Sequence, residues 1–257
     1  MCARHHAMTR EQGQMTWETF TTLVELNPDI GNFILVGWGE MMLNPEFFRM
    51  VAYLKERNKR IALTTNATLL TPDRIEKIIQ SGISHITLSV DGLDHVYQSL
   101  RGIPFGKVEN NIIALSKRIR ETGAEIYLET NSIGSPEVLA QEEEMRQRLG
   151  PYLDDLRFSS FLEYNQMLKT NRTSPCREFW RGMISVFYDG HVVPCCMDYN
   201  ASMVLGHVSD GPLIKLWNNA FTRQLRSEQI KLIFKNRCAT CYESDPPEES
   251  RVNKRFS

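Results

Sequence analysis

Four cysteines in the C-terminal third, Cys176, Cys195, Cys238 and Cys241, are spaced as a set able to close around one metal centre. Thirteen residues separate Cys176 from Gly190, four separate Gly190 from Cys195, and Cys238-Ala239-Thr240-Cys241 follows as a C-x2-C pair. Such a pair puts two thiolates on one tight turn. Two sulfurs from elsewhere then complete a tetrahedral zinc site or the ligand set of an iron–sulfur cluster. Spacing alone does not choose between those metals, and unrelated buried thiols are the competing reading. Cys196 adjoins Cys195 and points the other way in an extended strand, which makes it a packing residue.

Six cysteines among 257 residues are sparse for a secreted disulfide scaffold. Clustered C-x2-C spacing suits metal binding in a reducing compartment, so the expected location is cytoplasmic. With 42% apolar and 24% charged residues the chain has an ordinary globular balance. A formal charge of -1 leaves no basic footprint for nucleic acid. No apolar run approaches the ~20 residues that span a bilayer. The opening MCARHHAMTREQ lacks the hydrophobic region of a signal peptide. Neither a nucleic acid nor a membrane is expected as a partner.

Between residues 33 and 162, short apolar runs alternate with helix-period stretches. The runs are Phe33–Gly37, Ile61–Leu63, His85–Val90, Glu125–Leu128 and Leu156–Leu162, as suits strands buried on both faces of a parallel sheet. Asn44–Asn58 and Gly106–Arg120 place apolar residues at spacings of three and four, the mark of amphipathic helices. Asn44-Pro45 and Thr71-Pro72 each supply a capping residue before a proline at the first helical position. Repeated strand–helix units predict a parallel α/β sheet or barrel over residues 1–165. Polar or glycine-rich residues follow each strand: Gly37-Trp38-Gly39-Glu40, Thr64-Thr65-Asn66, Asp91-Gly92, Thr130-Asn131-Ser132 and Glu163-Tyr164. Parallel α/β folds place their ligand sites at these strand ends.

The pattern changes near Pro175. Met183–Tyr188 and His191–Pro194 read as a hairpin about Asp189-Gly190, and Gly211–Gln229 as one helix with Leu213, Leu216, Trp217, Phe221 and Leu225 buried. Residues 166–245 are therefore expected to form a small cysteine-rich domain, followed by a mobile tail, 246–257.

In these motifs the chain resembles a radical S-adenosylmethionine (SAM) enzyme with a C-terminal SPASM or "twitch" auxiliary-cluster domain. The implied fold is α/β: a partial (β/α)6 TIM-like barrel, its first strand missing, with that small domain behind it. Gly37-Trp38-Gly39-Glu40 resembles the family's glycine–glutamate motif, which holds the amino group of SAM. Thr65, Asn66, Ser89 and Asp91 match positions contacting its ribose or carboxylate, and Arg101-Gly102 the arginine–glycine element nearby. A zwitterionic sulfonium ligand needs such an acid for its amine and donors for its carboxylate. Only Cys2 stands where the family carries C-x3-C-x2-C for the SAM-cleaving [4Fe-4S] cluster. The expectation is a chain that begins inside that motif and, as given, does not cleave SAM.

The resemblance further implies an auxiliary [4Fe-4S] cluster on Cys176, Cys195, Cys238 and Cys241. It implies hydrogen abstraction by a 5′-deoxyadenosyl radical from a small polyol, an aminocyclitol or a peptide side chain. An electron donor such as flavodoxin or ferredoxin would serve as partner. Tyr164 and Arg157 are candidates for a base, with none assigned. The alternatives are a zinc-stabilised interaction module on a non-catalytic barrel, or a conventional barrel lyase. The lyase would place a lysine or a carboxylate pair at strand ends, yet Lys55, Lys59 and Lys77 read as helical.

Overall fold

The structure, a computed structural model, describes residues 2–160 and 172–241. It divides into two compact units, Pro28–Phe161 and the discontinuous pair Cys2–Asn27 with Leu162–Ser257. The first 27 residues, expected to open the barrel, thus group with the cysteine-rich region. The expected strand end at Phe161 and Leu162, Tyr164, and the tail lie outside the described residues.

The first unit is a five-stranded parallel sheet in sequence order: β1 (Asn32–Leu35), β2 (Arg60–Thr65), β3 (Ile83–Ser89), β4 (Tyr127–Gly134) and β5 (Asp155–Ser160). Parallel neighbours need crossovers, and helices supply them. They run Phe47–Glu56, Pro72–Ser81, Asp94–Arg101 with Phe105–Thr122, and Pro136–Leu139 with Glu142–Leu149. One sheet face carries Ile61, Leu63, Ile86, Leu88 and Leu128, all at most 2% exposed, as are helical Val51, Leu54, Ile78, Ile112 and Leu115. The register lines up Thr64, Thr87 and Glu129 across the other face, and Ser89, Asn131 and Arg157 one step further along. One face is therefore core, and the other carries polar chemistry.

The helix signals acted as expected at Thr71, whose side chain accepts from the Arg74 N–H while Pro72 occupies the first turn. At Asn44-Pro45 they did not. The helix begins at Phe47, and Asn44 instead accepts from the Glu46 N–H in a local turn closing the 3-10 turn Met41–Leu43. β4 extends well past the expected Leu128, because its ladder to β3 continues to Asn131 and its ladder to β5 to Gly134, past Thr130 and Ser132, both 0% exposed. Hydroxyl side chains do not end a strand whose backbone is paired on both sides.

In the second unit, β6 (Ser185–Val186), β7 (His191–Val193) and β8 (Gly206–His207) form an antiparallel sheet. The hairpin turns at Asp189-Gly190, with Gly190 at φ +83°. The single helix expected over 211–229 is two, Leu213–Trp217 and Ala220–Ile230. The break falls at Asn218-Asn219, where Asn219 accepts from the Thr222 N–H and starts a new helix. Asparagine competes for backbone hydrogen bonds in this way, and apolar periodicity does not report it. Buried Asn27 joins the front segment to this unit, donating to the Leu23 carbonyl (2.7 Å) and accepting from the Leu213 N–H (2.7 Å).

Candidate functional site

Glu40 follows β1 and caps the 3-10 turn Met41–Leu43, its Oε1 accepting from the Met42 N–H at 3.4 Å. Oε1 also accepts from the Thr65 hydroxyl and Oε2 from the Asn66 N–H, both at 2.8 Å. Two strand ends thus grip one half-buried carboxylate. A carboxylate has about four acceptor sites. The three bonds leave acceptor capacity on Oε2 for one further donor, such as an ammonium. Thr65, 2% exposed, is fully engaged in this grip, donating to Glu40 and accepting from the Ala67 N–H at 3.1 Å. Asn66 turns its Oδ1 back to the N–H and hydroxyl of Thr68. Gly37 and Gly39 are exposed in the connection from β1, and neither adopts positive φ.

Ser89 closes β3, in register with Asn131. Two residues on, Asp91 is 0% exposed; its Oδ1 accepts from the Ile133 N–H at 2.7 Å, and its Oδ2 binds Arg101, with Nε at 2.6 Å. Gly92 beside it takes φ +81°. Arg101 is 27% exposed, so Asp91 is the buried post that orients an accessible guanidinium. Any influence of Asp91 on a ligand runs through Arg101. Cys2 belongs to the other unit, where it is half-buried and precedes the short helix Ala3–His6.

The sequence reading missed Glu129. On β4 and 0% exposed, its Oε1 accepts from Thr87 (2.9 Å) and His85 Nε2 (2.9 Å) and pairs with Arg157. Its Oε2 is buried with no hydrogen-bond partner among the described residues. Burial pushes this carboxyl up, but the His85 hydrogen bond, the Arg157 charge and the Thr87 hydroxyl outweigh that and hold it below 4.5. The available signal was weak: a glutamate directly after the apolar run Ile126–Leu128 and ahead of three more polar residues. Arg157, named as a candidate base, is Glu129's counter-ion.

In the second unit Cys176, Cys195, Cys238 and Cys241 line one cavity, together with Arg172, Phe179, Met197, Asp198, Met203 and Arg237. Cys196 is not among them, and it is exposed rather than packed as expected, because it lies in the turn after β7 and not in an extended strand. The sulfurs arrive from separate places: before the turn Arg177–Phe179, after β7, and from within and just after the turn Asn236–Thr240. Burial, then the neighbouring Cys241 and Cys176, push the Cys238 thiol up to about 12. A set of thiolates crowded in a buried space is stable only around cations. Two arginines in the lining match the net negative charge of a cluster with four thiolate ligands. Among the described residues, no three His, Cys, Asp or Glu side chains converge on a point that could hold one ion.

Two family profiles match successive parts of the chain, the first of them including the front segment that packs with the second unit. The radical SAM superfamily profile matches residues 1–149, and the SPASM profile, an iron–sulfur cluster-binding domain, matches residues 176–242. The chain belongs to the radical SAM superfamily and carries a SPASM domain. It is 26% identical over 131 residues to the AdoMet-dependent heme synthase of Nitratidesulfovibrio vulgaris, a match covering 50% of this chain and 35% of that protein. The chain thus spans about a third of that relative's length. The PqqA peptide cyclase of Gluconobacter oxydans is 21% identical over 258 residues, covering 84% of this chain and 72% of that protein. Among solved structures, native anSMEcpe with bound AdoMet superposes at TM-score 0.68 and 17% identity, covering 90% of this chain and 81% of that one. That likeness establishes the fold, a radical SAM partial barrel. No helix among the described residues is long and apolar enough to cross a membrane.

Proposed function

We propose that this chain is the hydrogen-abstracting component of a radical SAM enzyme of a reducing, cytoplasmic compartment. Its substrate would be a small polyol, an aminocyclitol or a peptide side chain. When bound, SAM and its cluster supply a 5′-deoxyadenosyl radical. The chain's own residues place and shield it. Glu40, held by Thr65 and Asn66, has acceptor capacity for the SAM ammonium. Arg101, oriented by Asp91, offers a donor to its carboxylate. Ser89, with Gly37 and Gly39 at the strand ends, completes that surface. Of these, the peptide reading is supported by a relative named for peptide cyclisation, while another relative is named for heme synthesis. A flavodoxin or ferredoxin would deliver the electrons.

The observation that carries the reading is the shared cavity of Cys176, Cys195, Cys238 and Cys241, read as the ligands of one auxiliary [4Fe-4S] cluster. Anaerobic reconstitution should give about four irons per chain on these cysteines, with thiolate-to-iron charge-transfer absorption. Stoichiometric zinc without iron would support an interaction module instead. Cys2 would be one of the three thiolates that the SAM-cleaving cluster requires.

A further inference from the structure

The segment carrying Cys2 is fastened to the turn that follows Cys195. The Asn200 side-chain amide accepts from the Thr9 N–H at 2.8 Å and donates to the Ala7 carbonyl at 3.1 Å. Both bonds come from one rigid amide plane, so they fix the position and register of residues 7–9 together. From Ala7 the constraint passes through one helical turn. The N–H groups of Ala7 and Met8 donate to the Ala3 carbonyl (2.9 and 2.8 Å), and the His5 N–H donates to that of Cys2 (3.1 Å).

The other end of the turn is the Cys195 sulfur. Its Sγ lies 3.3 Å from the Met197 nitrogen, and the Cys195 carbonyl accepts from the Asp198 N–H at 3.1 Å. Asp198, 1% exposed, then braces the turn, accepting from the Ser202 N–H (2.9 Å), the Ser202 hydroxyl (2.6 Å) and the Met203 N–H (2.7 Å). A second clamp lies on the hairpin leading into Cys195. Arg10 pairs with Asp189 and lies over the Phe187 ring, 4.3 Å from its centroid, and the Tyr188 hydroxyl donates to the Glu11 carbonyl at 3.2 Å. Gly13 lies so close to Tyr188 that a Cβ there would sit 2.2 Å from the ring.

We propose that Asn200 is a positioning residue coupling occupation of the distal four-thiolate site to the placement of the Cys2 segment. The coupling rests on the reading that Cys195 is a cluster ligand. With its sulfur held by iron, the braced turn is fixed and presents Asn200 to residues 7–9. With the site empty, the turn loses that anchor, while the hairpin clamp on residues 10–13 remains. Assembly of the auxiliary centre thereby orders the segment in which Cys2 supplies its thiolate.

The test is hydrogen–deuterium exchange of the full 257-residue chain, reconstituted anaerobically or stripped with an iron chelator, with iron and absorption measured on the same samples. Loading should slow exchange across residues 2–12 by roughly tenfold, the weight of two neutral hydrogen bonds, and leave residues 28–160 unchanged. Asn200→Ala should abolish that protection while still binding iron. Asn200→Asp, which keeps the acceptor for Thr9 and loses the donor to Ala7, should retain part of it. Full iron content with no loading-dependent protection would overturn the coupling alone, as would protection surviving in Asn200→Ala. Failure to take up iron would overturn the cluster reading and the coupling with it. Should Asn200→Ala fold poorly, Asn200→Asp decides the matter by the same comparison.

Discussion

Replacing Glu129 by glutamine tests whether its network holds the barrel strands together through charge. Glu129 is fully buried and takes donors from His85 and Thr87 on β3 and from Arg157 on β5, with β4 between them. Hydrogen bonds to a charged group contribute about 1.5–3 kcal/mol each, and breaking a buried ion pair costs about 3–5 kcal/mol. Glutamine keeps the shape and one acceptor oxygen. Arg157 is 38% exposed, so water recovers part of the loss. The net cost expected for Glu129→Gln is about 2–3 kcal/mol, which lowers Tm by roughly 6–12 °C for a unit of this size. The pH dependence gives the sharper test. Because the folded carboxyl titrates below its ordinary 4.5, its stabilisation is complete above that value. It is lost as pH falls from there through the lowered folded value. Thermal unfolding of both proteins should therefore show a constant deficit from neutral pH down to about 5.5, closing in acid below the ordinary carboxyl value. A deficit independent of pH, or one below about 0.5 kcal/mol at neutral pH, would refute the charge argument.

Two further substitutions separate the sulfur site from its surroundings. Cys195→Ser should reduce reconstituted iron by more than half, whereas Cys196→Ser, altering an exposed side chain, should leave it unchanged; iron analysis after desalting decides. Gly190→Ala should destabilise the second unit by at least about 2 kcal/mol in thermal melts. It forces an L residue to φ +83° and sets a methyl 2.2 Å from His207 Nε2, which bonds the Asp189 carbonyl at 2.9 Å.

What the sequence revealed was whatever is encoded within a short stretch of chain. Ile61–Leu63 is buried throughout and His85–Val90 buries Ile86, Leu88 and Val90, and these runs fall in β2 and β3. Thr71-Pro72 and Asp189-Gly190 carry their backbone geometry in the residues themselves. The four cysteines that share a cavity were legible because the C-x2-C pair announces a turn. Glu129 was hidden because the polar residues after Leu128 looked like the end of a strand, when pairing to β3 carried β4 on to Asn131 and pairing to β5 carried it to Gly134. The split at Asn218-Asn219 depended on a side chain choosing a cap over the helix. Least visible was the attachment of residues 2–27 to the distal unit. Arg10–Asp189, Asn27–Leu213 and Thr9–Asn200 bridge 179, 186 and 191 positions, and no local pattern reports contacts so remote.

That attachment sets the order in which the polypeptide can mature on the ribosome. Residues 28–161 form a contiguous unit able to condense as they emerge. Residues 2–27 must wait until residues 187–213, which hold them, have been synthesised, a delay of roughly ten to forty seconds at about 5–20 residues per second. During that interval residues 2–27 lack the partners that Asp189, Asn200 and Leu213 supply, so their docking follows synthesis of the distal unit.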